Sequence, residues 1–332
     1  MSAAPELESL CAGLRRPAGL LGKRDIQAPA GTFAHQPFPE LGIAAALGDD
    51  AALLPAKGSP LLLACEGLQP ELVEEDPWFA GWCGVLVNLS DIAAMGGRPL
   101  ALVNSLWCRD PQRAEPLLAG LREGCERFGV PMVGGHTNLR SPYDALSVAV
   151  LGTAPGPVLS ARLASPGQLC VLLIDPAGHF HRHYPFWDAA TRAEPARLRR
   201  QLELLVELAG AGLARAAKDI SMGGLVGTAV MFAEAAGAAL ELDLGAITPP
   251  EGVSLQAWLT CFPSYGYLLA CDPGRLEALQ AAAAPLALLC APIGRFLPPA
   301  PEGSGLWLRQ GAERACLWRA DTPLTGFSAL EL

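Results

Sequence analysis

Carboxylates at the ends of elements are the residues of this chain best suited to chemistry. Asp49-Asp50 precede a short apolar run and Glu66 ends another. Asp91 lies within Asn88-Leu-Ser-Asp-Ile-Ala-Ala-Met-Gly-Gly-Arg-Pro99, and Asp219 stands just before Gly223-Gly224. Carboxylates that converge on one point hold Mg²⁺ against phosphate oxygens, because a hard cation takes oxygen ligands. Successive strand residues point to opposite faces, so Asp49 and Asp50 do not both reach one ion. One of them binds and the other caps the turn. At helical spacing Val85, Leu89 and Ile92 form an apolar stripe, with Asn88 and Asp91 on its edge facing a ligand. On spacing alone Asp91 reads equally well as a solvated helix carboxylate.

Paired glycines supply the complementary chemistry. Gly134-Gly135-His136-Thr137 follows a short apolar strand, where backbone N–H groups can approach a phosphate or simply turn the chain. Gly223-Gly224 opens a helix, whose first N–H groups suit an anion. The chain has neither a Gly-x-x-x-x-Gly-Lys-Ser/Thr loop nor a Gly-x-Gly-x-x-Gly turn, so a nucleotide binds in another way. His179, His181 and His183 alternate as zinc ligands on an extended segment do, but no Cys or carboxylate stands at ligand spacing beside them. A polar loop after a strand is the better reading, and no zinc site is assigned.

The elements that position these groups follow from the punctuation. A first helix spans 5–22, and 27–38 reads as a loop through Pro29, Gly31 and Pro37. Apolar runs at 43–47, 51–54 and 61–65 are strands joined by tight turns. Asp76-Pro77 and Asp110-Pro111 each set an N-cap before Pro at the first helical position, starting the helix of Asp91 and one that ends near Phe128-Gly129. Strands at 131–134 and 146–151 complete a first α/β domain, and the proline-rich segment 152–167 links it to a second. There a strand at 169–174 and an irregular stretch to Glu194 precede a helical pair over 195–218. A helix to Ala236 and strands at 239–244 and 267–270 come next, then a helix capped by Asp272-Pro273.

The chain has 332 residues, a net charge of −9 and an apolar fraction of 51%, which fits two compact domains. Its charge repels phosphate backbones and it has no basic block with interleaved aromatics, so nucleic acid is not a partner. No apolar run is long enough to span a bilayer, which predicts a soluble protein without a signal peptide. Ten scattered cysteines, among them Cys65, Cys83, Cys170 and Cys290 beside apolar neighbours, predict reduced, buried thiols in a cytoplasm.

Four motifs in order, Gly48-Asp-Asp-Ala-Ala52, Asn88 to Gly97, Gly134 to Thr137 and Lys218-Asp-Ile-Ser-Met-Gly-Gly224, resemble the AIR synthase (PurM-like) superfamily. That superfamily includes thiamine-monophosphate kinase and selenophosphate synthetase, and the resemblance covers nearly the whole chain after about residue 40. It implies an α+β, PurM-like two-domain fold. An N-terminal helix and loop (1–40) precede an AIR synthase-related domain (41–155) that dimerises through its strands, followed by a C-terminal α+β domain (165–332). It implies ATP with Mg²⁺ in a cleft between domains and a small-molecule substrate. By position, Asp49 or Asp50, Glu66, Asp91 and Asp219 resemble the metal-phosphate ligands, with Asp91, His136 and Asp219 catalytic. Asn88, Gly134, Gly135, Thr137, Gly223 and Gly224 would hold the cofactor. Glu66 stands where the family's strand usually offers Asp. Thiamine-monophosphate kinases carry Asp where this chain has His136 and Asp-Gly where it has Met222-Gly223. The selenophosphate synthetase nucleophile is missing as well, so the whole set looks closest to a separate AIR-synthase-related subfamily. The expected function is ATP-dependent phosphoryl transfer to, or activation of, a small molecule. The alternative is a nucleotide-binding or complex-forming protein without turnover.

Overall fold

The computed structural model describes residues 5–33, 49–263, 266–299 and 305–327. The strand expected at 43–47 and Gly48 of the first motif lie outside the described residues. The chain forms two compact units, one of Asp50–Val158 with Arg192–Glu207, the other of Met1–Asp49, Leu159–Thr191 and Leu208–Leu332.

The chain opens with α1 (Pro5–Leu14), α2 (Ala18–Leu21) and, after a 3₁₀ turn over Gly22–Ile26, α3 (Gln27–Phe33). Pro17 ends the expected single helix early, and the expected loop from Gln27 is helical to Phe33. Leu7, Cys11, Leu14 and Leu20 join the core of the seven-stranded unit described below. Arg15 ties α1 to that unit by donating to the carbonyls of Leu317 (2.8 Å) and Cys316 (2.5 Å).

The five-stranded unit holds β1 (Ala52–Leu54), β2 (Leu61–Gly67), α4 (Pro70–Glu75), α5 (Pro77–Ala94), β3 (Arg98–Trp107), α6 (Pro111–Phe128), β4 (Met132–Asn138) and β5 (Ala145–Thr153). Its sheet runs β1-β2-β5-β3-β4, antiparallel except for the β3–β4 pair that α6 connects. Both expected N-caps form, Asp76 accepting from the Phe79 N–H and Asp110 from the Arg113 N–H. Gly129 closes α6 in the left-handed conformation, φ 72°.

Helix α5 departs from the expected amphipathic pattern, because it is buried on nearly every side. One side lies on the sheet, where a Cβ at Gly84 would stand 3.0 Å from Val148 Cγ2 and one at Gly152 2.6 Å from Ile92 Cγ2. The other side lies on α6. A Cβ at Gly81 would overlap the Leu117 carbonyl oxygen, one at Gly120 the Trp78 carbonyl oxygen, and one at Gly124 would reach 2.9 Å from Val85 Cβ. These glycines cost helix propensity, roughly 1 kcal/mol each against Ala, and in return the two backbones meet closely. Trp82, fully buried, fills the space beside them, stacked on Trp78 at 6.0 Å and tilted against Phe128 at 5.8 Å.

The seven-stranded unit holds β6 (Leu169–Ile174), β7 (His179–Phe180) and β8 (Phe186–Asp188). Helix α7 (Pro195–Gly210) follows and belongs to the five-stranded unit as far as Glu207. The seven-stranded unit resumes with β9 (Ala216–Asp219), α8 (Gly224–Ala236), β10 (Ala239–Asp243), α9 (Leu255–Thr260), β11 (Phe262–Pro263), β12 (Gly266–Cys271), α10 (Leu276–Ala283), β13 (Leu289–Leu297), β14 (Gly305–Gln310) and β15 (Glu313–Arg319). Its main sheet runs β15-β14-β10-β13-β6-β12-β9, and β11-β8-β7 form a small second sheet. The expected helical pair over 195–218 is one helix followed by β9, since Ala216–Asp219 pairs with β12 and is buried throughout. Asp272 does not cap the following helix as expected. A 3₁₀ turn, Pro273–Arg275, intervenes, and the carboxylate accepts from Gln168 Nε2 at 2.9 Å.

The ten cysteines are free thiols. Cys65 is exposed and Cys290 half-buried, against the expectation of burial for both. Burial pushes the Cys11 thiol up to about 11, although Arg15 pulls the other way. No helix among the described residues is long and apolar enough to cross a membrane.

The close approach of α5 to α6 predicts that Gly120→Ala destabilises the five-stranded unit despite better helix propensity. A loss of about 2 kcal/mol in urea unfolding is expected for such overpacking, whereas Gly67→Ala, with open space around its Cβ and no positive φ, creates no overlap.

Candidate active site

Burial of α5 decides how Asp91 and Asn88 are read. Asp91 is only 6% exposed, which overturns the solvated-helix reading. A carboxylate taken out of water is costly unless hydrogen bonds or a cation compensate it. Asn88 is fully buried, and its Nδ2 donates to the Gly84 carbonyl at 2.7 Å. Its Oδ1, also buried, has no hydrogen-bond partner among the described residues. An oxygen acceptor and a carboxylate three residues apart on one buried helix suit a cation or a donor group. The helix stops beside them as expected: Gly96 takes φ 71°, and the Gly97 N–H donates to the Ile92 carbonyl.

Sheet register places the remaining residues of this unit. Glu66 pairs with Val148, Val148 with Asn104, and Asn104 with Gly135, so these four form one row on the face that α5 covers. The next row, Gly67, Ser147, Ser105 and His136, faces the opposite way. His136 therefore lies on the face without α5, its ring 6.1 Å from that of Trp107, while Thr137 shares the α5 face with Leu106. The strand was expected to end at Gly134, the first residue of the Gly-Gly-His-Thr motif. Instead all four residues are exposed members of β4, at the edge of the sheet. Gly135 takes φ 151°, and a Cβ there would overlap the Asn104 carbonyl oxygen, so this glycine serves strand pairing. Asn104, which has its own partnerless buried Oδ1 among the described residues, was missed in the sequence. The alternation of Leu102, Asn104 and Leu106 was the available signal.

In the seven-stranded unit Asp49 takes the capping role. Its carboxylate accepts from the Ser160 hydroxyl and from the Ala161 N–H at 3.2 Å, at the start of a 3₁₀ turn over Ala161–Leu163. Asp219 ends β9 and is 7% exposed. Beyond it, the Thr228 hydroxyl donates to the Asp219 carbonyl and accepts from the Ser221 N–H, both at 3.3 Å. Gly224 then starts α8, whose first-turn N–H groups have no acceptor within the helix. The chain here turns a buried carboxylate and a helix N-terminus into neighbours in sequence.

The histidine stretch is not one extended segment. After β7 the chain turns through Arg182, φ 51°, and the Tyr184 N–H donates to the His181 carbonyl. Tyr184 stacks on His181 at 6.4 Å and lies 4.2 Å from the His183 ring. Among the described residues no group of three or more His, Cys, Asp or Glu could hold a metal ion.

The site residues fit an oxygen-rich, phosphate-bearing ligand better than a soft metal, since their donors are carboxylates, an amide oxygen and backbone N–H groups. The family model for the AIR synthase related protein N-terminal domain matches residues 48–154, and that for the C-terminal domain matches 171–300. The Synechocystis protein sll0787 is 43% identical over 324 residues, covering 97% of this chain and 99% of its own. A thiamine-monophosphate kinase of Methanopyrus kandleri is 33% identical over 221 residues, 62% of this chain and 67% of the kinase. Among solved structures, AaThiL complexed with AMPPCP and TMP superposes with a TM-score of 0.63 at 20% identity, covering 85% of this chain and 91% of that one. The chain, with its two matched domains and its mixed sheets, belongs to the AIR synthase related family of the PurM-like superfamily.

Proposed function

We propose that this protein uses ATP with Mg²⁺ to transfer a phosphoryl group to, or activate, a small-molecule substrate. The observation that carries this reading is the burial of Asp91 and Asp219 at element ends, within a family whose relatives include kinases. Bound Mg²⁺ would neutralise phosphate charge. In the five-stranded unit Asp91 would hold it, with Asp50 preferred to Asp49 because Asp49 caps a turn, while Asp219 is the carboxylate of the seven-stranded unit suited to a metal-bound phosphate. Glu66 is exposed near the end of β2 and stands where the resemblance leads one to expect Asp, which makes it the weakest candidate of the set. At the start of α8 the Gly223 N–H would be offered to phosphate, with Gly224 shaping the turn, since the Gly224 N–H donates to the Ser221 carbonyl at 2.8 Å. Phosphoryl transfer depends on positioning and charge stabilisation more than on a protein nucleophile, so these groups suffice. Asp91→Asn keeps the shape and removes the charge, so it should abolish Mg-dependent ADP release while leaving the circular dichroism spectrum unchanged. Normal turnover in the folded variant would refute the role.

The rival reading, a nucleotide binder without turnover, draws on His136 and Met222, which stand where the kinase resemblance places carboxylates. A thermal shift with Mg-ATP but no ADP release in a metabolite mixture would favour it.

We further propose a homodimer formed through the open face of the five-stranded sheet, in the reduced thiol environment of a cytoplasm. Leu63 (45% exposed), Val103 (42%) and Leu151 (38%) lie on that face, with Leu100 and Val133 also exposed. An apolar sheet face of this kind invites association. Light scattering should report a dimer at micromolar concentration and a monomer for Val103→Asp, whereas a wild-type monomer would sink the proposal.

Thiamine monophosphate should be a poor substrate. The resemblance places kinase carboxylates where this chain has His136 and Met222, and the loss of two negative charges removes metal ligands. His136→Asp with Met222→Asp should raise thiamine pyrophosphate formation, and robust wild-type activity would contradict the argument.

A further inference from the structure

We propose that α2 is a clamp on the Ser221–Gly224 turn, with Gly19 as the positioning residue that aims the Gly223 N–H. The link to function rests on the reading above, that this turn cradles phosphate. A Cβ at Gly19 would overlap the Met222 carbonyl oxygen and stand 3.1 Å from both its carbonyl carbon and its Cγ. Three residues later, a Cβ at Gly22 would meet nothing nearer than Met222 Cε at 3.8 Å, an ordinary contact. The close approach is therefore specific to one backbone position on one short helix.

The turn is confined from three sides within the seven-stranded unit. Gly224 takes φ 68°, and a Cβ there would stand 2.7 Å from the Thr260 backbone at the end of α9. From within, fully buried Thr228 pins the start of the segment through the Asp219 carbonyl and the Ser221 N–H. From outside, α2 presses on the Met222 carbonyl, while Leu20, 1% exposed, lies where a Cβ at Gly227 would come within 3.1 Å. In a trans peptide the C=O and the following N–H point in opposite directions. With the Met222 carbonyl held against Gly19, the Gly223 N–H is directed away from α2. A flip of that peptide would reverse the donor, and the approach of Gly19 fixes which arrangement is kept.

A four-residue helix has no independent stability in water. Helix α2 persists because Leu20 is buried in the core, its N–H donates to the Pro17 carbonyl at 3.1 Å, and Arg15 anchors the preceding helix to β15. The N-terminal segment thus transmits its anchoring to the turn.

The test compares full-length variants by hydrogen–deuterium exchange over residues 218–228 and by titration with Mg-ATP. Gly19→Ala should speed exchange in that segment and weaken Mg-ATP binding about tenfold, the scale of one lost hydrogen bond to a charged group. Leu20→Ala withdraws the anchor without overlap and should speed exchange to a lesser degree, which keeps the proposal testable if Gly19→Ala does not fold. Gly22→Ala should match wild type. Leu242→Ala, a core truncation elsewhere in the unit, should lower the melting temperature without a selective change over 218–228. Exchange in Gly19→Ala and Leu20→Ala that rises no more than in Leu242→Ala would overturn the clamp. Faster exchange with unchanged Mg-ATP affinity would overturn its functional role. If wild type binds no Mg-ATP, the phosphate reading fails, and the exchange data still decide whether α2 holds the turn.

Discussion

The structure of the five-stranded unit depends on one constraint, the lack of a hydrated face on α5. The sheet covers one side and α6 the other, and both approach at glycines, where no Cβ keeps the backbones apart. Asn88 and Asp91 are consequently held where water does not screen them. A carboxylate in such a place attracts a cation more strongly than one on a surface, and its charge also costs more to bury. A ligand that compensates this charge in the folded state alone also adds stability to it. Chemistry and packing at Asp91 are therefore the same problem, and the glycines that let α6 close over the helix belong to the site as much as the carboxylate does.

The parts of this arrangement governed by local rules were legible in the sequence. Asp76-Pro77 and Asp110-Pro111 start α5 and α6 where an N-cap followed by proline places them, and Gly129 ends α6. Strand β6 lies where its apolar run puts it. What local rules missed was decided by partners distant in the chain. The Gly-Gly-His-Thr motif looked like a turn because glycine favours turns, but pairing with β3 extends β4 through it. Residues 216–219 continued a helical pattern, yet β12 recruits them as a strand. Asp272 has the local signature of a cap, and Gln168, more than a hundred residues away in sequence, takes its carboxylate instead. Periodicity also suggested an apolar stripe on α5 with a polar edge. It could not reveal that both sides would be covered, since that depends on the glycines of α6.

Paired glycines at candidate phosphate sites acquire a division of labour that spacing alone does not give. In Gly134-Gly135 the second glycine takes φ 151° and meets the Asn104 backbone, whereas a Cβ at the first would find only Val103 Cγ1, at 3.9 Å. In Gly223-Gly224 the second again takes a positive φ and meets the Thr260 backbone, whereas the first has φ −74°. The second glycine of each pair is required by a neighbouring backbone whether or not a ligand is present. The first is under no such conformational demand, so its freedom from a side chain is what a ligand could use. A Gly-Gly pair is weak evidence of a phosphate site because packing explains most of it: even at Gly223 a Cβ would stand 3.1 Å from Gly227 Cα, and the glycine that packing leaves unexplained is Gly134.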